Sequence, residues 1–253
     1  MSYKKITLKP KKEDSLLRFH PWVFSGAIAK KADNIEEGEV VRVETSRGDF
    51  IAVGHFQPKS IEVRVLSFED IEIDQNFWNE RVASAYQMRQ SLGLISETNN
   101  AYRLVHGEGD GLSGLIVDVY GDTAVVQSHS MGMHKSKKEI CNALLSVLGD
   151  ATNIYYKSET TLPDLDASDS DNGYLHGKFT TDQAMENGLL FQADWLKGQK
   201  TGFFVDQRNN RALLERYSKN RSVLNMFCYT GGFSFYAMRG DAKLVHSVDS
   251  SAK

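Results

Sequence analysis

The most constraining pattern lies near the end of the chain. The apolar run Ser222 to Phe227 leads into the turn Cys228-Tyr229-Thr230-Gly231-Gly232, a helical run from Phe233 to Arg239 and a second apolar run, Leu244 to Val248, which ends in Asp249. Short, nearly continuous apolar runs are what strands buried in a parallel sheet show. Strand, loop, helix and strand in this order are the opening unit of a doubly wound α/β sheet. In such a unit the glycines let the backbone approach a ligand, and an acidic residue ending the second strand accepts hydrogen bonds from ribose hydroxyls. Gly231 and Gly232 precede Asp249 by 18 and 17 residues, near the spacing of about 20 that this use requires.

The dinucleotide pattern G-x-G-x-x-G is absent, because the next glycine after Gly232 is Gly240. A pyrophosphate on the helix N-terminus, and with it a nucleotide-dependent oxidoreductase, is therefore disfavoured. A nucleoside without a pyrophosphate fits better, and S-adenosylmethionine (SAM) is such a ligand. Two adjacent strands of any α/β fold joined by a tight turn remain the structural alternative.

The remainder is organised differently. In the first seventy residues Ile6-Thr7-Leu8, Glu39 to Glu44, Phe50 to Phe56 and Ile61 to Leu66 read as short strands. Glu39, Arg42, Glu44, Glu62 and Arg64 interleave with branched residues at period two, which predicts a small barrel or curled sheet. Near Ser67 to Asp70 the pattern changes to a helix from about Gln75 to Ser91, with Phe77, Trp78, Val82, Tyr86 and Met88 near helical spacing. Strands Ala101 to His106, Leu115 to Tyr120, Ala124 to Ser128 and Ile154 to Lys157 follow, with an amphipathic helix from Lys135 to Leu148, so a second α+β domain is expected. The glycine-rich stretch Gly107 to Gly114 reads as a connection needing positive φ. Pro163 to Lys178 reads as a solvated loop. Its Asp164, Asp166, Asp169 and Asp171 lack the glycine and glutamate of a calcium loop, so no metal site is expected. Asp206 to Ser218 is helical, with Leu213, Leu214 and Tyr217 as its apolar stripe.

Of the 253 residues, only Cys141 and Cys228 are cysteines, too few for a disulfide framework or a four-cysteine metal site. No run approaches the roughly 18 to 20 apolar residues of a membrane span, and no apolar stretch follows Met1 to Lys5, so a cytoplasmic protein with no membrane partner is expected. The net charge of −3 hides an uneven distribution: residues 1–31 carry 8 Lys and Arg against 2 Asp and Glu, and residues 197–253 carry 10 against 4. Local charge is what a polyanion senses. Lys4, Lys5, Lys9, Lys11, Lys12 and Arg18, with His20 and Trp22 close by, combine phosphate-neutralising charge with rings that stack on bases, and are candidates for RNA contact, a merely solubilising lysine-rich end being the alternative.

Three segments, Glu186 to Phe191, Gly198 to Arg211 and Leu224 to Ser234, closely resemble the bacterial class I SAM-dependent methyltransferases that modify cytosine C5 in large-subunit ribosomal RNA. His20 to Ile28 and Gly107 to Asp118 resemble the first and middle domains of the same family. The resemblance implies an α+β multidomain protein: a PUA-like RNA-binding β-barrel over residues 1–70, a central α+β domain over 71–185 and, from 186 to 253, the start of an α/β Rossmann-like methyltransferase domain. It also implies SAM as cofactor and large-subunit ribosomal RNA as partner. Asp249 would hold the ribose, and Asn225, Phe227, Thr230, Gly231 and Ser234 would surround the methionine moiety. Phe204, Asp206 and Gln207 would lie nearest the ligand in the stretch from Lys200 to Arg211. For Phe203 and Phe204 a place in the core stays open, and for Arg208 and Arg211 a solvated helix face or phosphate contacts.

Cytosine C5 accepts a methyl group only after a thiolate attacks C6. The family places that cysteine well downstream of its first SAM motif, and the proline-rich loop with it, so the nucleophile is expected beyond Lys253. Cys228 is expected to shape the cofactor turn and Cys141 to be a buried small hydrophobe. On this reading the chain is a fragment ending inside its methyltransferase domain, inactive alone, with an unpaired strand that invites a homodimer. An RNA-binding adaptor with a vestigial nucleotide-binding segment is the competing expectation.

Overall fold

A computed structural model describes residues 3–162 and 172–250; the acidic run from Asp164 to Asp171 lies outside them, and so does its reading as a solvated loop. Six strands, β1 (Lys4–Leu8), β2 (Trp22–Phe24), β3 (Ile28–Lys31), β4 (Val40–Glu44), β5 (Phe50–Phe56) and β6 (Ile61–Ser67), make one sheet in the order β2-β6-β5-β4-β1-β3. β1 runs parallel to β4, and its other neighbour β3 is antiparallel. The register shifts at Thr7/Leu8, Val23/Phe24, Val43/Glu44 and Val53/Gly54. Such irregularities bend a ladder and raise its twist, which curls the sheet around its apolar face. That face buries Ile6, Leu8, Val41, Val43, Val63 and Val65 among others, the alternation legible in the sequence. β2 and β3 are not legible there. They are three and four residues long and owe their extended form to partners distant in the chain.

α1 (Gln75–Ser91) begins where Asp74 accepts a hydrogen bond from the Phe77 N–H at 3.0 Å, an N-cap. β7 (Ala101–His106), β8 (Leu115–Tyr120), β9 (Thr123–Ser128), β10 (Asn153–Tyr156) and β11 (Gly173–His176) form a second sheet in the order β11-β10-β9-β8-β7. The helix expected from Lys135 is two helices, α2 (Met131–Lys135) and α3 (Lys137–Leu148). Ser130 accepts from the Met133 N–H and starts α2 early, and Ser136 separates the pair. β11 lies inside the expected loop over 163–178. Only Tyr174 and Leu175 give it an apolar signal, and antiparallel pairing with β10, with Tyr155 and Tyr174 rings 5.0 Å apart, makes it a strand. In the glycine-rich connection Gly107, Gly111 and Gly114 all have positive φ, as that reading requires.

β12 (Gln183–Glu186) and β13 (Leu189–Gln192) form a hairpin whose two turn residues, Asn187 and Gly188, are both left-handed. A 3-10 turn at Val205–Gln207 precedes α4 (Arg208–Tyr217), so the helix expected from Asp206 starts two residues later as α-helix. β14 (Ser222–Met226) and β15 (Leu244–Val248) are parallel and in continuous register, joined through α5 (Gly232–Arg239). The predicted strand–helix–strand unit is present, but its strands are not buried: Leu224 is 63% and Met226 49% exposed. The apolar stripe expected on α4 is also exposed at Leu213 and Tyr217, whereas Arg211 of that helix is buried.

Two compact units result. One comprises residues 1–93, 104–118 and 122–179, and the other 94–103, 119–121 and 180–253. Tyr120 and Trp195 stack almost parallel in the core of the second.

Candidate functional site

Between β14 and α5 the backbone turns through three left-handed residues, Phe227, Tyr229 and Gly231, with φ of +58°, +50° and +78°. For Phe and Tyr this conformation costs about 1 to 2 kcal/mol each, so the surrounding bonds must hold it. The Cys228 N–H donates to the Val248 carbonyl at 3.1 Å and the Gly231 N–H to the Cys228 carbonyl at 2.8 Å. The Tyr229 N–H donates to Asp249 Oδ2 at 2.8 Å, tying the acidic end of β15 to the turn. The Tyr229 hydroxyl donates to the Gly202 carbonyl (3.2 Å) and accepts from the Gln199 N–H (3.3 Å). Burial pushes that phenol up from its ordinary pKa. A Cβ on Gly198 would lie 2.2 Å from the Asp194 carbonyl oxygen and 2.8 Å from the Tyr229 hydroxyl, so only glycine lets these segments approach.

Two adjoining cavities open on this turn. The smaller, about 190 Å³, is lined chiefly by Phe203, Phe204, Gln207, Phe227 and Phe233. The larger, about 520 Å³, is lined by Asp194, Lys197, Gln199, Tyr229, Asp249 and Ser250 among others. Phe204, Phe227, Tyr229 and Thr230 border both. Phe204 stands edge-on to Tyr229, their centroids 5.4 Å apart, and Lys200 Nζ lies 5.2 Å from its ring centre.

Of the cofactor residues expected from the sequence, Phe204, Gln207, Phe227, Thr230 and Asp249 meet at these cavities, and Gly231 shapes the turn between them. Asn225 and Ser234 sit beneath it. Asn225 Nδ2 donates to Ser234 Oγ (2.9 Å), and Ser234 Oγ shares a 2.6 Å hydrogen bond with Ser247 Oγ, so the three clasp β14, α5 and β15 together. Asp206 is exposed beside Gln207, whose Nε2 donates to it at 3.3 Å. Phe203 belongs to the core, 6% exposed.

Arg211 is neither a solvated helix group nor a free phosphate ligand. Its Nε and Nη2 donate to Glu186 Oε1 and Oε2 at 2.7 and 2.6 Å, and Nη2 also donates to the Phe204 carbonyl at 3.0 Å. Its guanidinium lies 4.6 Å from the Phe203 ring centre. The Tyr236 hydroxyl joins the cluster, donating to Glu186 Oε1 at 2.9 Å, and Arg208 Nε lies 3.5 Å from Glu186 Oε2, so Arg208 too is held against this carboxylate. Burial, then the charge of Glu186 and this hydrogen bond, push Tyr236 up to about 12. The cluster fastens the β12–β13 hairpin, α4 and α5 around the floor of the smaller cavity.

In the first unit, the candidate RNA residues divide. Lys4 Nζ pairs with Glu39 and Lys5 Nζ with Glu44, each at 2.9 Å. Arg18 is exposed. His20 lies 5.8 Å from Trp22, ring centre to ring centre, and 6.0 Å from Phe24. The Trp22 indole N–H donates to Glu108 Oε1 (2.9 Å) and Ser113 Oγ (3.2 Å), with the Arg64 guanidinium 5.9 Å from its ring centre. Burial works to raise the Glu108 carboxyl, but hydrogen bonds from Ser113 and Trp22 and the charge of Arg64 outweigh it, and its pKa lies below the ordinary value.

Cys141 is buried and burial raises its thiol pKa, whereas Cys228 is half-buried on the turn. Among the described residues no three His, Cys, Asp or Glu side chains gather as a metal site, and no helix is long and apolar enough to cross a membrane. Tyr229, Asp194, Lys197 and Gln199 were not foreseen as site residues; the positive φ of Tyr229 and the close approach of Gly198 become visible only when distant segments meet.

Residues 6–68 match a model of the PUA-like domain and residues 160–253 one of the S-adenosylmethionine-dependent methyltransferase family. Ribosomal RNA large subunit methyltransferase I of Tolumonas auensis is 40% identical over 252 residues, covering 97% of this chain and 63% of its own length. The protein of the same name from Alteromonas mediterranea is 38% identical over 249 residues, covering 97% and 62%. This chain therefore spans somewhat less than two thirds of the curated relatives it matches. Among solved structures, a candidate SAM-dependent methyltransferase from Streptococcus mutans superposes with a TM-score of 0.81 at 23% identity, over 100% of this chain and 64% of that one. A second, a methyltransferase structure complexed with SAH, gives 0.82 at 23% identity over 100% and 63%. Residues 6–68 are thus similar to a PUA-like domain, and residues 160–253 to the S-adenosylmethionine-dependent methyltransferase family.

Proposed function

We propose that the cleft bordered by Asp249 and the Phe227–Gly231 turn binds SAM, and that the chain serves methyl transfer to large-subunit ribosomal RNA, at cytosine C5. The observation that carries the reading is the junction of Asp249 with the left-handed turn. A carboxylate at the end of the second parallel strand stands beside a backbone loop and an aromatic-lined cavity, the surroundings that a ribose, a charged amino acid tail and an adenine ring require.

When bound, SAM would supply an electrophilic methyl group on a sulfonium centre. The residues of this chain bind and orient it. Asp249 accepts from the ribose hydroxyls. Phe204, Phe227 and Tyr229 exclude water along its length, with Gln207 and Thr230 as polar contacts. Asn225, Gly231 and Ser234 fix the loop that faces the methionine moiety, and Asp206 lies at the edge of the same segment. The attack on cytosine C6 needs a thiolate. Cys141 is buried, and Cys228 has the role of shaping the turn, so neither is taken as the nucleophile.

On the PUA-like side, Arg18, His20 and Trp22 are proposed to meet RNA, with Lys4 and Lys5 at an edge where Glu39 and Glu44 offset their charge. The relatives' names, which specify large-subunit ribosomal RNA, support this partner.

Calorimetric titration of this chain with SAM, its demethylated product SAH and NAD tests the cofactor. SAM and SAH are expected to bind and compete while NAD gives no heat of binding. Preference for NAD, or competition by NAD for the SAM site, would contradict the reading.

A further inference from the structure

The most exposed aromatic side chain of the first unit, Phe19, lies in a stretch of chain whose cations its carboxylates leave largely unmatched. Phe19 is 72%, Leu17 63% and Phe24 45% exposed. Phe19 is left-handed at φ +62° and packs edge-on against Phe68, the centroids 5.2 Å apart. Phe24 stands edge-on to Trp22 at 6.2 Å. Trp22 is itself held from behind by Glu108, Ser113 and Arg64. The rings are therefore pre-set by packing and hydrogen bonds, which lowers the ordering cost of a partner stacking on them.

The charge around these rings is one-sided. Residues 9–31 contain six Lys and Arg against Glu13 and Asp14. Lys9 Nζ is held over the loop that follows Phe24, donating to the Gly26 carbonyl at 2.9 Å. Lys11, Lys12, Arg18 and Lys30 are exposed and have no carboxylate within ion-pair distance among the described residues. This contrasts with Lys4, Lys5 and Lys31, whose ammonium groups are matched by Glu39, Glu44 and Glu62. An apolar protein partner would be served by the rings alone. Rings interleaved with unmatched cations fit a polyanion that carries flat bases, and unpaired bases are the ones free to stack.

We propose that Phe19 and Phe24 are a stacking platform for unpaired bases of RNA, with Lys9, Lys11, Lys12 and Arg18 along its phosphates. This rests on the RNA partner proposed above and names where single-stranded RNA sits: on exposed phenylalanines that were not among the residues expected from the sequence.

The test is fluorescence anisotropy with a labelled unstructured RNA oligonucleotide and a duplex RNA of equal length, at several salt concentrations. The whole chain is used, its fold checked by circular dichroism. Phe19→Ala and Phe24→Ala are each expected to weaken binding of the unstructured RNA by about tenfold, and Phe24→Trp to restore it. Arg18→Ala is expected to reduce the slope of log affinity against log salt by about one. Lys138→Ala, an exposed lysine on α3, leaves both within twofold.

If the parent chain binds RNA and the phenylalanine variants bind it equally well, the platform is overturned while the RNA reading stands. If the parent binds neither RNA, both are overturned. Self-association of the parent that Phe19→Ala and Phe24→Ala abolish, with RNA affinity unchanged, would instead make the face a protein contact and overturn the proposal.

Discussion

Replacing Glu186 by alanine is expected to destabilise the second unit by about 3 to 5 kcal/mol, the cost of leaving a buried charge without its partner. Glu186 is fully buried, and Arg211, at 2% exposure, has no water to turn to once the carboxylate is gone. The Tyr236 hydroxyl would lose its nearer acceptor in the same step and keep only the Glu186 main-chain carbonyl at 3.4 Å. Glu186→Gln, which keeps an acceptor oxygen but not the charge, is expected to lose less. The double variant Glu186→Leu/Arg211→Met, which removes this pair and retains volume but leaves Arg208, whose Nε lies 3.5 Å from Glu186 Oε2, without that carboxylate, is expected to recover part of the loss. Urea unfolding followed by circular dichroism measures this. A single variant within 1 kcal/mol of the parent would show that the pair does not hold hairpin, α4 and α5 together.

Acidification is expected to weaken the first unit through His55. Its side chain is 2% exposed, stacked against Trp78 with centroids 6.2 Å apart, and so close to Gly132 that a Cβ there would meet its ring. Burial lowers its pKa from 6.5 to about 4. The folded value lies below the unfolded one, so between them the unfolded chain takes up a proton that the folded chain refuses. Stability from this group is complete above about pH 6.5 and falls as the pH drops towards 4, by about 3 kcal/mol in all and about 2 kcal/mol between pH 7 and pH 5. His55→Phe removes that contribution. Urea titrations at several pH values check it: parent and variant should diverge as pH rises from 5 to 7, and parallel profiles would contradict the burial account.

Sequence legibility followed how locally each element is determined. α1 was readable from end to end because Phe77, Trp78 and Val82, all buried, recur near helical spacing. β5 and β6 were readable from their composition and period. β2, β11 and the β12–β13 hairpin were not, since three or four residues carry no period and acquire their form from strands elsewhere. At the site, the spacing from Gly231 to Asp249 picked out the turn whose Phe227, Tyr229 and Thr230 border both cavities. The same reading could not show that Arg211 is buried, because a polar residue on a helix reads as solvent-facing until Glu186, 25 residues earlier, is brought against it. Nor could it show Tyr229 reaching Gln199 across 30 residues. Lys4 and Lys5 looked available for phosphate because charge is additive along a sequence, whereas Glu39 and Glu44 cancel it in space.

The central claim, that Asp249 holds the ribose of SAM beside the left-handed turn, is tested most directly by calorimetric titration of SAM into the parent chain and Asp249→Ala. The variant is expected to bind SAM about 1 to 3 kcal/mol more weakly, because a charge-assisted acceptor of the ribose hydroxyls is lost, with its far-ultraviolet circular dichroism unchanged. Equal affinity of the two proteins for SAM would contradict it.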